Sequence, residues 1–393
     1  MLSTLPEPQL DPILSLSVAY RNDPRDQKVD LGIGVYRNTE GQTPIMTAVS
    51  KAQEIVQQTQ TTKAYVGLAG CEEFNQGIQS LVLGNIAKDR VATIQTPGAS
   101  GALRMLGDLI KVAEPGARVW LSNPSYVNHQ PVMEAAGLKV EHYTYFCPQT
   151  KQVNTEQMLR DLAHAGQNDI VLLHGCCHNP TGADIDLDTW KKLTQMANTQ
   201  GFKPFVDIAY QGFGDGLEED ALGLRHMAKQ VDEMFITTSC SKNFGLYRER
   251  TGAAMVIGRN AEHAINAKGM LLKMARATYT MPPDHGAALV KTILQSEDLT
   301  KEWKTELTDM RHRLIGLRKS LVTELNDKHG TQAFDFIEQH KGMFTVLGFS
   351  QEQMTKLKDQ YGIYGVGDGR INIAGLKESD IEYVADAIFQ VSK

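Results

Sequence analysis

VATIQTPGASGALRMLGDLI, residues 91–110, joins a short apolar run, a turn of small residues and an amphipathic repeat. Val91–Gln95 reads as a strand, and Leu103, Leu106 and Ile110 recur at helical spacing. The same unit recurs outward along the chain. Further strands are expected at Val119–Ser122, Ile170–His174, Phe205–Ile208, Phe235–Ser239 and Ala253–Ile257. Between two of them, Leu187, Trp190, Leu193 and Met196–Ala197 mark another helix. Strand–helix alternation from about residue 90 to 260 predicts an α/β fold, with a mostly parallel sheet covered by helices on both faces.

After residue 300 the pattern changes. Leu307, Met310, Leu314, Leu317 and Leu321 follow a 3-4-3-4 spacing, the stripe of one long helix. A short strand is expected at Arg370–Ala374, then a helix bearing Ile381, Val384, Ala385 and Ile388. The first 45 residues, including LGIGVY (31–36), have no core of their own and should pack on the C-terminal part or on a neighbouring chain. The expected organisation is a large domain over 46–300 and a smaller α+β domain built from 1–45 and 301–393.

Composition narrows the class without naming the chemistry. At 393 residues the chain holds two or three domains at roughly 150 residues each. Lys and Arg total 40 against 46 Asp and Glu, a net charge of −6, which argues against nucleic-acid binding through phosphate neutralisation. No apolar run of about 18 residues is present, so no membrane-spanning helix is expected. The start, MLSTLPEPQLDP, lacks the basic and apolar regions of a secretory signal. Five cysteines, an odd number, fit free thiols in a reducing cytoplasm better than a disulfide framework.

Four segments could carry chemistry. In TPGASGALR (96–104) the small residues let backbone amides and a helix N-terminus approach a phosphate, although an ordinary strand–helix turn looks the same. HGCCHNPTG (174–182) crowds His174, Cys176, Cys177 and His178 too closely for four ligands to converge. It is read as buried thiols at a strand end with no metal, while Asn179 lies past the strand where open α/β sheets bind ligands. In VDIAYQGF (206–213), Asp207 sits in an apolar run, as a functional carboxylate or as half of a structural ion pair, and Tyr210 follows. In TTSCSKNFGLYRERTG (237–252), Ser239, Ser241 and Arg250 are donors suited to a phosphate dianion, and Lys242 follows a buried strand as a candidate for Schiff-base chemistry. Each segment ends a predicted strand, so all can meet at one sheet edge. The combined set suits pyridoxal 5′-phosphate, which needs a carbonyl-reactive amine, a carboxylate and phosphate donors.

HGCCHNPTG, DIAYQGF and SKNFGLYRERTG, in that order, together with LGIGVY and GRINIAG (369–375), resemble the class I (fold-type I) pyridoxal-phosphate aminotransferases, specifically the aspartate and aromatic amino acid subgroup. The resemblance runs nearly the full length. It implies that Lys242 is the Schiff-base lysine. Asp207 would pair with the pyridine nitrogen, supported by His129 of SYVNH, and Asn179 and Tyr210 would bond the ring hydroxyl O3′. Ala99, Ser100, Ser239, Ser241 and Arg250 would hold the phosphate. Tyr65 of TKAYVG would reach the phosphate of a neighbouring subunit in a homodimer with shared active sites. Arg370 would clamp the substrate α-carboxylate, Arg276 would cross the dimer to a side-chain carboxylate, and Gly34 lies in the segment that closes over substrate.

Three positions depart from the family pattern. Tyr126 stands where close relatives have a tryptophan stacked on the cofactor ring, Ala99 where glycine is common, and Cys240 where an aromatic separates the two serines. The implied reaction is transamination between an amino acid and 2-oxoglutarate, giving glutamate and the matching keto acid. Two arginines at opposite ends of a small pocket favour aspartate, and an aromatic amino acid aminotransferase is the alternative. A non-catalytic effector-binding relative is the remote alternative, and it would be expected to lose Lys242 and to gain an N-terminal domain.

Overall fold

The computed structural model describes residues 2–5 and 12–393. Its central seven-stranded sheet has the order Val91–Pro97, Thr251–Ile257, Met234–Ser239, Lys203–Ile208, Asp169–His174, Arg118–Asn123, Lys139–Thr144. Neighbours are parallel except at Thr251–Ile257, which runs antiparallel to both strands beside it. The mostly parallel sheet expected from the alternation is therefore present, with one reversed strand.

Alternation along each strand divides it between two apolar layers. Val171, Leu173, Val206, Ile208, Met255 and Ile257 face one layer. Ile170, Leu172, Phe205, Ala254 and Val256 face the other, where Leu103, Leu106 and Ile110 of the helix Gly98–Ala113 pack. Strands buried on both faces read as continuous apolar runs, which is why sequence marked them. Asp207 shares the parity of Phe205 and so lies on the second face. The strand Lys139–Thr144 was not expected. It is an edge strand paired only with Arg118–Asn123, and Lys139, Glu141 and His142 on it are exposed.

The long helix spans Glu297–His329, starts at the Ser296 side chain, which accepts from the Leu299 N–H at 3.3 Å, and stops at Gly330 in the left-handed region. All five leucine and methionine positions of its stripe are buried. Leu307, Met310 and Leu314 join the first sheet layer. Leu317 and Leu321 join a third cluster drawn from both chain ends, with Val29, Leu31, Ile371 and Val384. Val29–Asp30 pairs in parallel with Ile363–Tyr364, and Phe344–Val346 pairs antiparallel with Arg370–Asn372. The strand expected over Arg370–Ala374 ends at Asn372, followed by a single turn, Ile373–Gly375. Asn372 stops it: its Oδ1 accepts from the Ala374 N–H at 3.1 Å and its Nδ2 donates to the Ile33 and Val35 carbonyls. The part of the N-terminal arm over residues 6–11 lies outside the described residues. Among those described, no helix is long and apolar enough to cross a membrane.

Candidate active site

Six strands deliver their C-terminal ends to one edge of the sheet. The reversed strand Thr251–Ile257 begins there, so Arg250 returns to the same edge as Ser239 and Gly98. A cavity of about 280 Å³ opens at this edge. It gathers Gly34, Ala99, Ser100, Tyr126, Asn179, Asp207, Tyr210, Ser239, Ser241, Lys242, Arg250 and Arg370.

Asp207 is held from two sides. His129 Nε2 lies 3.0 Å from Asp207 Oδ2, and the Thr237 hydroxyl donates to Oδ1 at 2.8 Å. Thr237 is the register partner of Asp207 on the next parallel strand, so both side chains share a face. Burial alone would push the carboxyl up. The hydrogen bond and charge of His129, with the Thr237 hydroxyl, outweigh it and hold Asp207 below its usual range. His129 itself is fully buried, and its Nδ1 meets the Ser125 hydroxyl at 2.9 Å. The same hydroxyl lies 3.3 Å from His174 Nε2.

Lys242 follows the strand Met234–Ser239, with Nζ 4.6 Å from the centre of the Tyr210 ring and no hydrogen bond among the described residues. Burial pushes its ammonium down to about 8, against the pull of Asp207, and Arg250 pushes the same way as burial. An amine so placed is available as a base near neutral pH. Tyr210 and Tyr126 both line the cavity. Burial raises both phenols, and Tyr126 also packs edge-on against His129 at 5.3 Å.

A further group of cavity residues offers donors suited to an anion. The helix Gly98–Ala113 has no side-chain cap on its first turn, so its N–H groups and dipole remain open to the cavity where Ala99 and Ser100 sit. Ser239 Oγ accepts from the Ser241 N–H at 3.1 Å, and Arg250 Nη1 lies 3.5 Å from Ser241 Oγ. Gly98 is required here: its φ is +70°, and a Cβ would stand 2.7 Å from Arg250 Nη2.

Arg370 enters from the terminal cluster and is buried. Nη2 donates to the Gly32 carbonyl at 3.0 Å, Nη1 lies 3.4 Å from Asn179 Oδ1, and Nε has no partner among the described residues. Its guanidinium lies 4.5 Å above the Phe344 ring. The ring in turn fills the space at Gly34, where a Cβ would be 2.8 Å from Phe344 Cζ.

Two expected residues stand apart. Tyr65 is 86% exposed, and Arg276 lies exposed in the last turn of the helix Ala261–Thr278; neither lines this cavity. Cys176 and Cys177 are buried, and their sulfurs and the Asp220 carboxylate lie within 4.8 Å of one another. The Asp220 oxygens already accept backbone N–H groups from Gly212, Gly214 and Asp215. Sequence reading missed Phe344, Thr237 and Tyr247, and weighed His174 only as a metal ligand, whereas it lines this cavity. Tyr247 Oη accepts the Tyr36 N–H at 2.9 Å. Only the parity of Thr237 with Asp207 across neighbouring strands offered a signal.

The family model for aminotransferase class I and II matches residues 26–388. This chain belongs to that family. An aromatic-amino-acid aminotransferase of Paracoccus denitrificans is 45% identical over 392 residues, covering 100% of both chains. An aspartate aminotransferase of Escherichia coli K12 is 41% identical over 385 residues, covering 97% of each. Among solved structures, an aromatic amino acid aminotransferase with 3-indolebutyric acid superposes with a TM-score of 0.97 at 45% identity, covering 100% of both chains. An aromatic-amino-acid aminotransferase from Burkholderia pseudomallei, covalently bound to pyridoxal phosphate, gives 0.97 at 36% identity, again over 100% of both. The family and its relatives establish the expected fold type and a pyridoxal-phosphate-dependent transaminase.

Proposed function

We propose that the cavity holds pyridoxal 5′-phosphate and exchanges the amino group of aspartate with 2-oxoglutarate, through the residues expected from the motifs. The observation that carries this reading is the meeting of a lysine whose Nζ has no hydrogen bond among the described residues, a buried ionised carboxylate and a helix N-terminus without a side-chain cap in one cavity. These residues fit the cofactor. The open N-terminus with Ser239, Ser241 and Arg250 would take its phosphate, Asp207 its ring nitrogen, Asn179 and Tyr210 its ring hydroxyl, and Tyr126 its ring face. Bound there, the cofactor supplies an electron sink for the pair left at the substrate Cα. Lys242 Nζ, as the neutral amine, would take the Cα proton and, as the ammonium, deliver it to the C4′ position of the cofactor, the transfer on which amino-group exchange depends. Asp207 stays ionised and keeps a positive charge opposite it. Arg370 would hold the α-carboxylate, its unpartnered Nε being a donor in need of an acceptor.

Arg276 and Tyr65, both exposed, are proposed to serve the cavity of a second copy in a homodimer with shared sites. A fully active monomer in sedimentation would contradict that assembly. The division into a cofactor domain over 46–300 and a smaller one from both ends, and a cytoplasmic location for a chain with five free cysteines, belong to the same reading. A second reading is favoured by the 45% identical Paracoccus relative: an aromatic amino acid aminotransferase. Measuring kcat/KM for aspartate, phenylalanine and tyrosine with 2-oxoglutarate separates them. Aspartate in the lead supports the first reading, and an aromatic substrate in the lead replaces it with the second.

A further inference from the structure

Arg318 is a charged residue that the transamination chemistry does not use. It sits on the inner face of the long helix, 2% exposed, and forms no ion pair among the described residues. Its donors go to backbone carbonyls instead. Nη1 donates to Ile337 at 3.1 Å, and Nη2 to Gly342 at 2.9 Å and Phe344 at 2.7 Å, with Lys341 at 3.4 Å. Burial pushes the guanidinium down to about 10, so it remains a cation at neutral pH. A buried cation is costly unless its donors are met, and here one stretch of chain, 337–344, meets them.

That stretch touches the substrate end of the cavity twice. Phe344, at its end, lies under the Arg370 guanidinium at 4.5 Å and meets the Tyr210 ring edge-on at 6.1 Å. Upstream, the Lys341 N–H donates to the Gly182 carbonyl at 2.7 Å, at the close of the turn that carries Asn179. Gly182 has no room for a side chain, since a Cβ would be 2.3 Å from the Phe344 carbonyl that Arg318 binds. Asn179 Oδ1 and the Phe344 ring are therefore both set, relative to Arg370, by the seating of one loop.

We propose that Arg318 is a positioning residue for carboxylate recognition: by gathering the carbonyls of 337–344 it fixes the Phe344 ring beneath Arg370 and aims the guanidinium fork into the cavity. The proposal rests on the reading that Arg370 receives the substrate carboxylate. A flat cation over an aromatic face keeps its donors in one plane, which suits a bidentate carboxylate and fails if the ring shifts.

The test uses holoenzyme and 3-phenylpropionate, a carboxylate without an amine, as the probe. In Arg318→Lys, whose point charge cannot span the same carbonyls, the Kd for the probe and the KM for the amino donor should each rise about tenfold, while kcat at saturating donor falls less than about threefold. Cofactor retention should not change. Phe344→Leu should weaken the probe to a similar degree, and the double variant should be no weaker than Phe344→Leu alone, since both act through one contact. An unchanged probe Kd in Arg318→Lys, or losses that simply add in the double variant, overturns the proposal. Should Arg318→Lys fail to fold, Phe344→Leu decides: unchanged probe affinity there overturns it, and a tenfold loss supports it. Arg370→Lys is the separate control. If it leaves the probe Kd unchanged, the reading of Arg370 itself falls; if it weakens the probe while Arg318→Lys does not, only the positioning role falls.

Discussion

Replacing Thr237 with valine keeps the shape of the side chain and removes one of the two hydrogen bonds that hold Asp207 ionised. The bond is short, 2.8 Å, and both partners are buried, with Thr237 fully inaccessible. A hydrogen bond to a charged group contributes about 1.5–3 kcal/mol, and its loss should weaken the ionisation of Asp207 roughly tenfold to hundredfold. The sign follows from the direction of the native shift. Asp207 is held below the usual carboxylate range, so its contribution to stability is present above that range and is lost as pH falls through it. The variant moves its titration upward. Its stability deficit should therefore be full at neutral pH and shrink in acid, where both proteins carry a protonated carboxyl.

The assay is kcat/KM against pH. An acid limb should move toward neutrality in Thr237→Val, with near-native activity restored in mild alkali, because the proposed pairing with the ring nitrogen needs an ionised Asp207. Thr238→Val is the control. Thr238 is equally buried but alternates to the opposite face of the sheet, paired with Ile208, and should leave the limb in place. If Thr237→Val lowers activity by one factor at every pH, the hydroxyl only packs, and the argument that it tunes Asp207 is wrong.

Lys242→Ala removes the amine that would move the Cα proton, and turnover of aspartate with 2-oxoglutarate should fall by about 10⁴-fold or more, the upper range for a general base. Retention of normal turnover would falsify that role. Arg276→Ala should reduce kcat/KM for aspartate by about a hundredfold or more while affecting tyrosine far less, as a carboxylate left unpaired in a dry pocket costs several kcal/mol. Equal losses on both substrates would remove Arg276 from side-chain recognition. Burial pushes His174 down to about 3 and His340 down to about 4, so both are neutral in the fold while an unfolded histidine protonates near 6.5. Their contribution is present above that value and is lost as pH falls from it toward 4, at up to about 1.4 kcal/mol per pH unit for each. Chemical denaturation between pH 7.5 and 5 should show this slope, and His340→Gln should flatten it; a slope unchanged by that substitution would exclude His340 as a contributor.

What sequence could and could not reveal divides along physical lines. Six strands of the sheet were legible because they are buried on both faces, and such strands must be apolar throughout. Lys139–Thr144 was not, because its place depends on pairing with Arg118–Asn123 and its outer residues face water. Asp207, Lys242, Asn179 and Arg250 were legible because each is a polar group next to a buried strand, a placement that costs free energy without a use. Phe344 offers no such contradiction. In KGMFTVLGF it reads as one more core aromatic, and its closeness to Arg370 comes from the antiparallel pairing of Phe344–Val346 with Arg370–Asn372. Ser125 and Thr237 are likewise ordinary hydroxyl residues until the fold sets one between two histidines and the other beside a carboxylate.

The long helix shows most clearly how a pattern can be read correctly and still be incomplete. Its stripe marks a core face, and Leu307, Leu314 and Leu321 do fill that core. Interleaved on the same side, Trp303 Nε1 donates to the Asn243 carbonyl at 2.7 Å, and the Trp303 ring stacks on Phe244 at 4.3 Å. Arg311 donates to the Gly212 carbonyl at 3.2 Å, and Arg318 to the carbonyls of Ile337, Gly342 and Phe344. The three loops so held carry Lys242, Tyr210 and Phe344. Residues 303, 307, 311, 314 and 318 follow one another at helical steps of three or four, so a single rigid rod sets the spacing between Lys242, Tyr210 and the Phe344 ring beneath Arg370. Polar donors on an otherwise apolar stripe, each reaching a loop carbonyl, are how this helix converts core packing into the geometry of a site. Hydrophobic periodicity registers the leucines and passes over those donors, because it counts what is apolar and has no measure of which carbonyl a buried N–H reaches.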